Sequence, residues 1–589
     1  MCGIAGVSLT SERPVPAAML RALADALRHR GPDGEGMVEG PGVALVHRRL
    51  SIIDVAGGAQ PISDADEAVH IVANGEIYNY RPLQDALDEH GVALKTRSDT
   101  EPALHLYKAH GTGFVDHLNG MYALAIYDGR TGEVVLARDP FGIKPLYYAQ
   151  TSEGIAFASE PAALIKAGWT AAEVETRALG AYFARQYVGG RHTLLKGIRR
   201  VLPGETLVLQ KGEIVRRGRR LPALRPAAKA ADGADAAFDR ILEHAVRRHQ
   251  QSEVPYGAFL SGGIDSSCMV LKMSQIAGPV NTFTIGFDSA TVDDERTAAE
   301  RLVRDLDVSH RGILFSEEDF WATLPKMCAA FDDLVADYAA LPLLKLAREA
   351  APSVKVVLSG EGGDEIFAGY GRYRRGWWDT LRRRPFRGRG GTAGYEALFD
   401  PAVFDDAVGA DIPFDLNGFT PLQRRQAIDV VDWLPDDLLT KVDRCLMAYG
   451  IEGRVPYLDD DLAAFGFGLP DRCKVSGRHG KYLVKSWLSR QRPDLDVWAR
   501  KRGFTVPIGD WLERKRPHLA AYLSAQEGVR AITKVAPLEA FFARPFGRKG
   551  AQLAFALLCF GLWHDIHIRG VAPRNAALGF TGEPGSGGG

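Results

Sequence analysis

The 589-residue sequence predicts an α/β chain in two parts: two packed sheets with a few covering helices, then a parallel sheet with helices on both faces and a mainly helical end. Three observations lead there. Before about residue 216 the apolar pattern is that of strands and hairpins, and after residue 235 it alternates strand, loop and helix. Between them, RRGRRLPALRPAAKAADGAD is rich in Arg, Ala and Pro with no amphipathic period, as an interdomain linker would be.

In chain order, Leu20, Leu23, Ala24 and Leu27 share one helical face, and Gly31-Pro32 ends that helix. Strands are expected over 43–53, 69–73 and 121–127, the last apolar on both faces as a sandwich strand would be. Asp128-Gly129 and Thr131-Gly132 turn the chain into a strand at 134–137, and a second hairpin joins 146–148 to 155–157. Beyond the linker, 256–260 reads as a strand, followed by a Gly/Ser loop and an apolar-faced segment at 268–276. Further buried strands are expected at 282–287 and 354–358, and helix dominates from about Thr420. The apolar stretch 551–563 is broken by Gln552 and Gly561, is too short to span a bilayer, and reads as a buried helix. The resulting division is 1–215, a linker over 216–235, a second domain over 236–575, and a Gly-rich disordered tail at 576–589.

Bulk properties exclude several functions. Lys and Arg number 72 against 73 Asp and Glu, so no net field points to nucleic acid or an acidic membrane, and neither is an expected partner. Six cysteines without a CxxC pair in a chain this long suggest reduced thiols in a cytoplasmic protein. The start, MCGIAGVSLTSERP, lacks the basic and sustained apolar regions of a targeting signal.

Cys2 is the most informative residue of the first part. Removal of Met1 leaves one residue carrying a thiol and a free α-amine. The amine's reference pKa of about 7.7–8.0 lets it serve as the base for its own side chain. Around it stand His29-Arg30-Gly31-Pro32-Asp33-Gly34, then Arg48-Arg49-Leu50-Ser51-Ile52-Ile53, Asn74-Gly75-Glu76-Ile77-Tyr78-Asn79 and Ser98-Asp99-Thr100-Glu101. In order and spacing this series resembles the class II glutamine amidotransferases. The resemblance implies a catalytic Cys2 and a glutamine site of Arg49, Leu50, Ser51, Ile52, Ile53, Asn74, Gly75, Glu76 and Asp99. In it Arg49 holds the α-carboxylate as a bidentate fork, and Glu76 and Asp99 face the α-ammonium. The Asn74 amide and the Gly75 N–H would form the oxyanion hole. The alternative for Asn74-Gly75 is a simple hairpin turn.

In the second part, Ser261-Gly262-Gly263-Ile264-Asp265-Ser266-Ser267 lies between a predicted strand and a predicted helix, where N–H and O–H donors make an anion cradle. It is no Walker A loop, since the one Gly-Lys pair here, Gly480-Lys481, runs on into Tyr482. It resembles the PP-loop of ATP-pyrophosphatases. Ser359-Gly360-Glu361-Gly362-Gly363-Asp364-Glu365 follows another strand and belongs on the same sheet edge, where Asp265 and Asp364 suit Mg²⁺.

The whole arrangement resembles the glutamine-hydrolysing asparagine synthetases. That family implies an N-terminal-nucleophile four-layer α-β-β-α sandwich, followed by a parallel-sheet PP-loop domain (adenine nucleotide α-hydrolase-like) with a helical C-terminal part. Leu260, Ser261, Gly262, Gly263, Asp265, Ser266, Ser267, Ile285, Ser359, Gly360 and Lys481 would contact ATP, with Asp265 and Asp364 on the metal. Glu361 would be the acid/base residue, and Lys501, in Trp498–Phe504, the catalytic lysine. Lys441, Arg444 and Arg454 are further candidates for phosphate or passage contacts. The expected reaction amidates aspartate through β-aspartyl-AMP, with ammonia passed from the glutaminase site. The alternatives are the same chemistry on a cell-envelope, peptide or antibiotic precursor, or a non-catalytic regulatory homologue. A homodimer is compatible with the resemblance.

Overall fold

The computed structural model describes residues 2–287, 295–374, 391–404, 412–499 and 506–573. Lys501 and the expected tail lie outside the described residues.

The first part is built from two antiparallel sheets. One runs in the order β10 (Ile198–Arg200), β8 (Tyr147–Thr151), β9 (Gly154–Ala158), β1 (Gly3–Leu9), β3 (Val43–Arg49), β2 (Gly34–Gly40). The other runs β12 (Glu213–Arg219), β11 (Glu205–Gln210), β7 (Glu133–Arg138), β6 (Gly120–Asp128), β5 (Val69–Ile77), β4 (Ile62–Ser63). Their inner faces meet through Ile4, Leu45, Val72, Ala123, Ala125, Leu136, Tyr148 and Phe157, all buried. Alternate residues of the same strands point the other way, because strand side chains alternate across the sheet. Ala5, Val7, Ala44 and Val46 then pack under the helix Ala17–Ala26, and Tyr122, Leu124 and Ile126 under the helix Glu101–His110. Helix, sheet, sheet and helix make the expected four-layer sandwich. The central strand β6 is apolar on both faces because each face is covered.

The second part has a five-stranded parallel sheet in the order β15 (Val308–Phe315), β14 (Val280–Phe287), β13 (Tyr256–Phe259), β16 (Val356–Leu358), β17 (Glu452–Arg454). From β13 the order runs outward in both directions. The crevice beyond the ends of β13 and β16 is therefore the topological switch point where open α/β sheets bind ligands. Helices follow from residue 421 onward, including Arg548–Trp563, which continues to Ile568 as a wider turn. By length and hydropathy Arg548–Ile568 could cross a membrane, but it is mostly buried against Phe320, Met327, Tyr182 and Phe183, as a core helix.

The strand expected over 43–53 stops at Arg49, the one expected over 354–358 starts at Val356, and both ends of the expected linker shift. β12 runs to Arg219, so the first four residues of the expected linker are strand, paired with β11. Their arginines gave no apolar alternation because this edge strand is exposed. At the other end the helix Ala234–His249 has already begun before residue 235. The segment 220–233 lies along the second part, held by Arg220 on Asp460 (3.1 Å) and by Gln423, which donates to the Arg225 carbonyl (2.9 Å).

The two parts share one apolar core: Leu50, Ile52, Tyr78, Met121 and Ile143 pack in the same cluster as Leu260, Leu358, Met447 and Val455. Buried charge crosses the same boundary. Arg30 is wholly inaccessible and forks onto Asp443 (2.7 and 2.9 Å) while also meeting Glu160 (2.8 Å). Removing one partner of such a pair leaves a charge stranded in a dry site. Asp443→Ala is expected to lower stability by about 3–5 kcal/mol, read as a lower urea midpoint at neutral pH; an unchanged midpoint would show that Glu160 alone satisfies Arg30.

Candidate active sites

The first site forms where β1 starts and β3 ends, against Asn74 and Gly75 within β5 of the facing sheet. The Cys2 N–H donates to Asn74 Oδ1 (3.0 Å), Arg30 Nε donates to the Cys2 carbonyl (3.2 Å), and the thiol approaches the Leu50 carbonyl at 3.9 Å. The nucleophile is thus gripped at both ends of its own backbone. Burial pushes the Cys2 thiol above its ordinary value, so it rests protonated and needs a base.

Asn74 and Gly75 do not turn a hairpin; both lie inside β5. Gly75 is required there because a Cβ would sit 2.0 Å from the Met121 carbonyl. With Oδ1 taken by Cys2, Asn74 Nδ2 is fully buried with no hydrogen-bond partner. An orphan donor next to a nucleophile is where an oxyanion finds stabilisation.

A pocket opens beside the thiol, lined by Cys2, Arg49, Leu50, Ile52, Ile53, Gly75, Glu76 and Asp99, with Glu452 from β17. Ser51 is buried just behind, its N–H held by Asp33 (2.9 Å). Arg49 is positioned by the carbonyls of Asp54 (2.6 Å) and Val55 (3.1 Å). Asp99 accepts from the Ile77 N–H (2.8 Å), and burial pushes its pKa up to about 6. Burial likewise drives Glu76 well above the carboxylate range. Glu452 lies in a segment, 450–459, that also resembles the family, but nothing local gives it a role, because it reaches this pocket from more than 350 residues away.

The second site lies at the switch point. The helix Ile264–Ile276 begins directly after Gly263, and Ser266 Oγ ties the loop by accepting from the Ser261 N–H (3.2 Å) and donating to the Gly263 carbonyl (3.1 Å). Gly262 takes a left-handed φ of 64°. Leu260 and Ile285 are buried at and beside this loop on the ends of adjacent strands. The loop after β16 presses against it: a Cβ on Gly360 would lie 3.0 Å from Asp265 Cβ, and one on Gly363 2.7 Å from Asp265 Cγ. Ser359 Oγ is buried without a partner.

Asp265 and Asp364, 99 positions apart, converge on one ammonium group. Lys481 pairs with Asp265 and with Asp364 (2.6 Å), and these carboxylates outweigh burial and raise its pKa. Its backbone sits at φ 53°, unusual for a lysine and the kind of strain that clusters at functional sites. Two carboxylates meeting on one cation, beside a loop of N–H donors, are oxygen ligands that could hold Mg²⁺ together with phosphate. Glu361 follows Gly360 in the same loop, and its charge acts on Lys441, which pairs with Asp337 (2.6 Å). Arg444 and Arg454 are not at this site. Arg444 meets Glu160 (2.6 Å) and Asp332 (2.9 Å), and Arg454 meets Glu76 (2.9 Å), so both serve the boundary between the parts.

Comparison with known proteins agrees with this pairing of sites. The model of the family described as asparagine synthase matches residues 237–565, and that described as glutamine amidotransferase domain matches residues 1–218. Glutamine-hydrolysing asparagine synthetase 1 of Bacillus subtilis is 30% identical, over 96% of this chain and 97% of its own. The chain belongs to the asparagine synthetase family. A protein described as a putative glutamine-hydrolysing asparagine synthetase in Mycobacterium bovis is 33% identical over 98% of each chain. As an asparagine synthetase family member, this is an ATP-dependent carbon–nitrogen ligase that draws nitrogen from glutamine.

The raised pKa of Asp99 makes a prediction about stability. A carboxyl that holds its proton more tightly when folded adds stability below its unfolded value near 4, and that contribution is lost as pH rises through about 6. Asp99→Asn should therefore raise the thermal midpoint at pH 7–8, by an energy on the order of 1–3 kcal/mol, and leave it unchanged near pH 4. Thermal melts across that range decide it; equal shifts at both pH values would contradict the assignment.

Proposed function

We propose that this asparagine synthetase family member amidates the β-carboxylate of aspartate through a β-aspartyl-AMP intermediate, using ammonia released from glutamine at Cys2. The observation that carries the reading is the convergence of the Ser261–Ser267 and Ser359–Asp364 loops beyond β13 and β16, in one apolar core with the Cys2 pocket. Aspartate is named as acceptor because the relatives are described as asparagine synthetases.

At the first site, the α-amine exposed on removal of Met1 takes the proton of the buried Cys2 thiol, and the thiolate attacks the glutamine amide. Asn74 Nδ2 and the Gly75 N–H receive the oxyanion, Arg49 holds the α-carboxylate, and Glu76 and Asp99 hold the α-ammonium. Ammonia leaves, and water hydrolyses the thioester. Leu50, Ile52 and Met121 lie in the apolar cluster that continues to Leu260 and Leu358, surroundings that favour neutral ammonia over ammonium.

At the second site, Ser261, Gly262, Gly263, Ser266 and Ser267 bind phosphate oxygens, and Leu260, Ile285, Ser359 and Gly360 border the adenylate. Asp265 and Asp364 would hold Mg²⁺, which supplies charge neutralisation on the phosphates when bound. Lys481 is placed to share in that neutralisation. The aspartate carboxylate attacks the α-phosphorus and pyrophosphate leaves; ammonia then displaces AMP, with Glu361 taking a proton from the attacking nitrogen. Lys501 is assigned to the phosphates through its place in the sequence.

Cys2→Ala should abolish glutamine-dependent synthesis and leave ammonium-dependent synthesis within about twofold, since the thiol serves only ammonia release. Equal loss of both in a folded variant would contradict two separate centres. Incubation with ATP, ammonium and a panel of carboxylic acids should yield AMP and pyrophosphate with aspartate. ADP, or product from another acid alone, would overturn the assignment. Glu361→Gln should lower kcat by about 10²–10⁴-fold with ATP KM little changed, whereas Asp364→Asn should weaken use of Mg-ATP itself. Near-normal kcat in Glu361→Gln would leave that residue structural.

A further inference from the structure

The Cys2 pocket is not made by the first part alone. Glu452, on β17, lines it together with Arg49, Glu76 and Asp99. β17 is placed by the nucleotide-site sheet: Glu452 stands opposite Val356 and Arg454 opposite Leu358 on β16. The Glu452 N–H donates to the Lys355 carbonyl (2.8 Å), and the Ser359 N–H donates to the Arg454 carbonyl (2.9 Å). From this strand, Arg454 donates Nε to Glu452 Oε1 (2.6 Å) and Nη2 to Glu76 Oε2 (2.9 Å). Its Nη1 donates to the carbonyls of His249 (2.9 Å) and Gln251 (2.6 Å). A planar guanidinium bonded at all three nitrogens has no freedom to turn, so the two carboxylates it bridges are fixed as well. Lys144 closes the arrangement from the first part by donating to the Gly453 carbonyl (3.0 Å).

Both bridged carboxylates border the pocket, and Glu76 Oε1, 2% exposed at its residue, has no hydrogen-bond partner. A buried acceptor left unsatisfied at a pocket wall calls for a donor from the ligand. The glutaminase reading supplies one, the substrate's α-ammonium, and the inference rests on that reading. We propose that Glu452 is a glutamine-binding residue contributed by the synthetase half, sharing the α-ammonium with Glu76, and that Arg454 is the positioning residue that holds both carboxylates for it.

The electrostatics agree with the geometry. Burial drives Glu76 well above the carboxylate range, so it is no ready anion in the empty pocket, whereas Asp99, at about 6, is ionised at neutral pH. Burial works against the charge on Glu452, yet the chain's terminal ammonium first, and then Arg454 and Lys144, hold its pKa at about 2. Glu452 is therefore ionised near neutral pH, together with Asp99, and can help draw an ammonium in. Glutamine binding then depends on β17 being seated on β16, the strand that leads into the Ser359–Asp364 loop.

The test uses the full chain with the isosteric Glu452→Gln and the shorter Glu452→Asp. Glutamate release is measured against glutamine concentration, and pyrophosphate release with ammonium serves as the second readout. Loss of a charge-assisted contact should raise the glutamine KM about tenfold or more in Glu452→Gln, with kcat within about threefold and partial recovery in Glu452→Asp. Ammonium-dependent pyrophosphate release should stay at the level of the unsubstituted chain. Glutaramate, which lacks the α-ammonium, should inhibit both proteins with the same Ki. An unchanged glutamine KM overturns the proposal. So does a fall in kcat with an altered pH profile, which would place Glu452 on the Cys2 amine instead. Parallel loss of both activities, or a parallel rise in glutaramate Ki, would reduce Glu452 to holding the halves together. Failure of the acyl-adenylate reading shows separately, as absent ammonium-dependent pyrophosphate release in the unsubstituted chain, and leaves the glutamine KM free to decide this question.

Discussion

A guanidinium taken out of water must meet carboxylates, and this molecule uses that demand to join its halves. Arg30, Arg200, Arg444 and Arg454 are all buried, and each has a carboxylate partner on the opposite side of the boundary: Asp443, Asp333, Glu160 and Glu76. Buried pairs of this kind add little net stability over an apolar contact, but a misplaced one is heavily penalised. They therefore specify register more than strength. The shared apolar cluster through Leu50, Met121, Leu260 and Met447 supplies the area, and the crossed pairs decide the one way it can be covered.

That register matters because both reaction centres are assembled from it. Cys2 is held through Arg30, whose other anchor is Asp443 on the helix Thr440–Met447. The same helix carries Lys441, close enough to feel Glu361 at the nucleotide edge. β17 is shared in the same way, with its backbone on β16 and Glu452 in the Cys2 pocket. Two short segments of the second half thus touch both sites. Chemistry that hands a small neutral molecule from one site to the other is served by centres that cannot drift apart.

Stability has been given up locally for this. Asn74 Nδ2, Glu76 Oε1 and Ser359 Oγ are buried polar atoms without protein partners, and Asp99 and Glu76 carry carboxyls that burial drives upward. Lys481 adopts a left-handed backbone between two aspartates. At the two sites these departures leave room for ligand groups to complete the hydrogen bonds.

Much of this was legible from residue order alone. Period-two alternation marks the sandwich strands, and β6 reads as apolar on both faces because both are covered. The Ser261–Ser267 and Ser359–Asp364 loops stand after short apolar strands, where Gly and Ser have a local conformational reason to be. Cys2, Arg49, Asn74, Gly75, Glu76 and Asp99 lie in compact motifs, so spacing identifies them. β17 escaped notice because three residues, two of them charged, carry no strand signal; it is a strand only because β16 offers it hydrogen bonds. Arg454 could be expected at phosphate or in a passage, and only the fold shows it facing Glu76. Glu452 joins the pocket by the same route. Local sequence determines what each segment can become and which side chains can do chemistry. Tertiary structure alone decides which distant charges become neighbours, since an ion pair leaves no mark on the spacing of its partners.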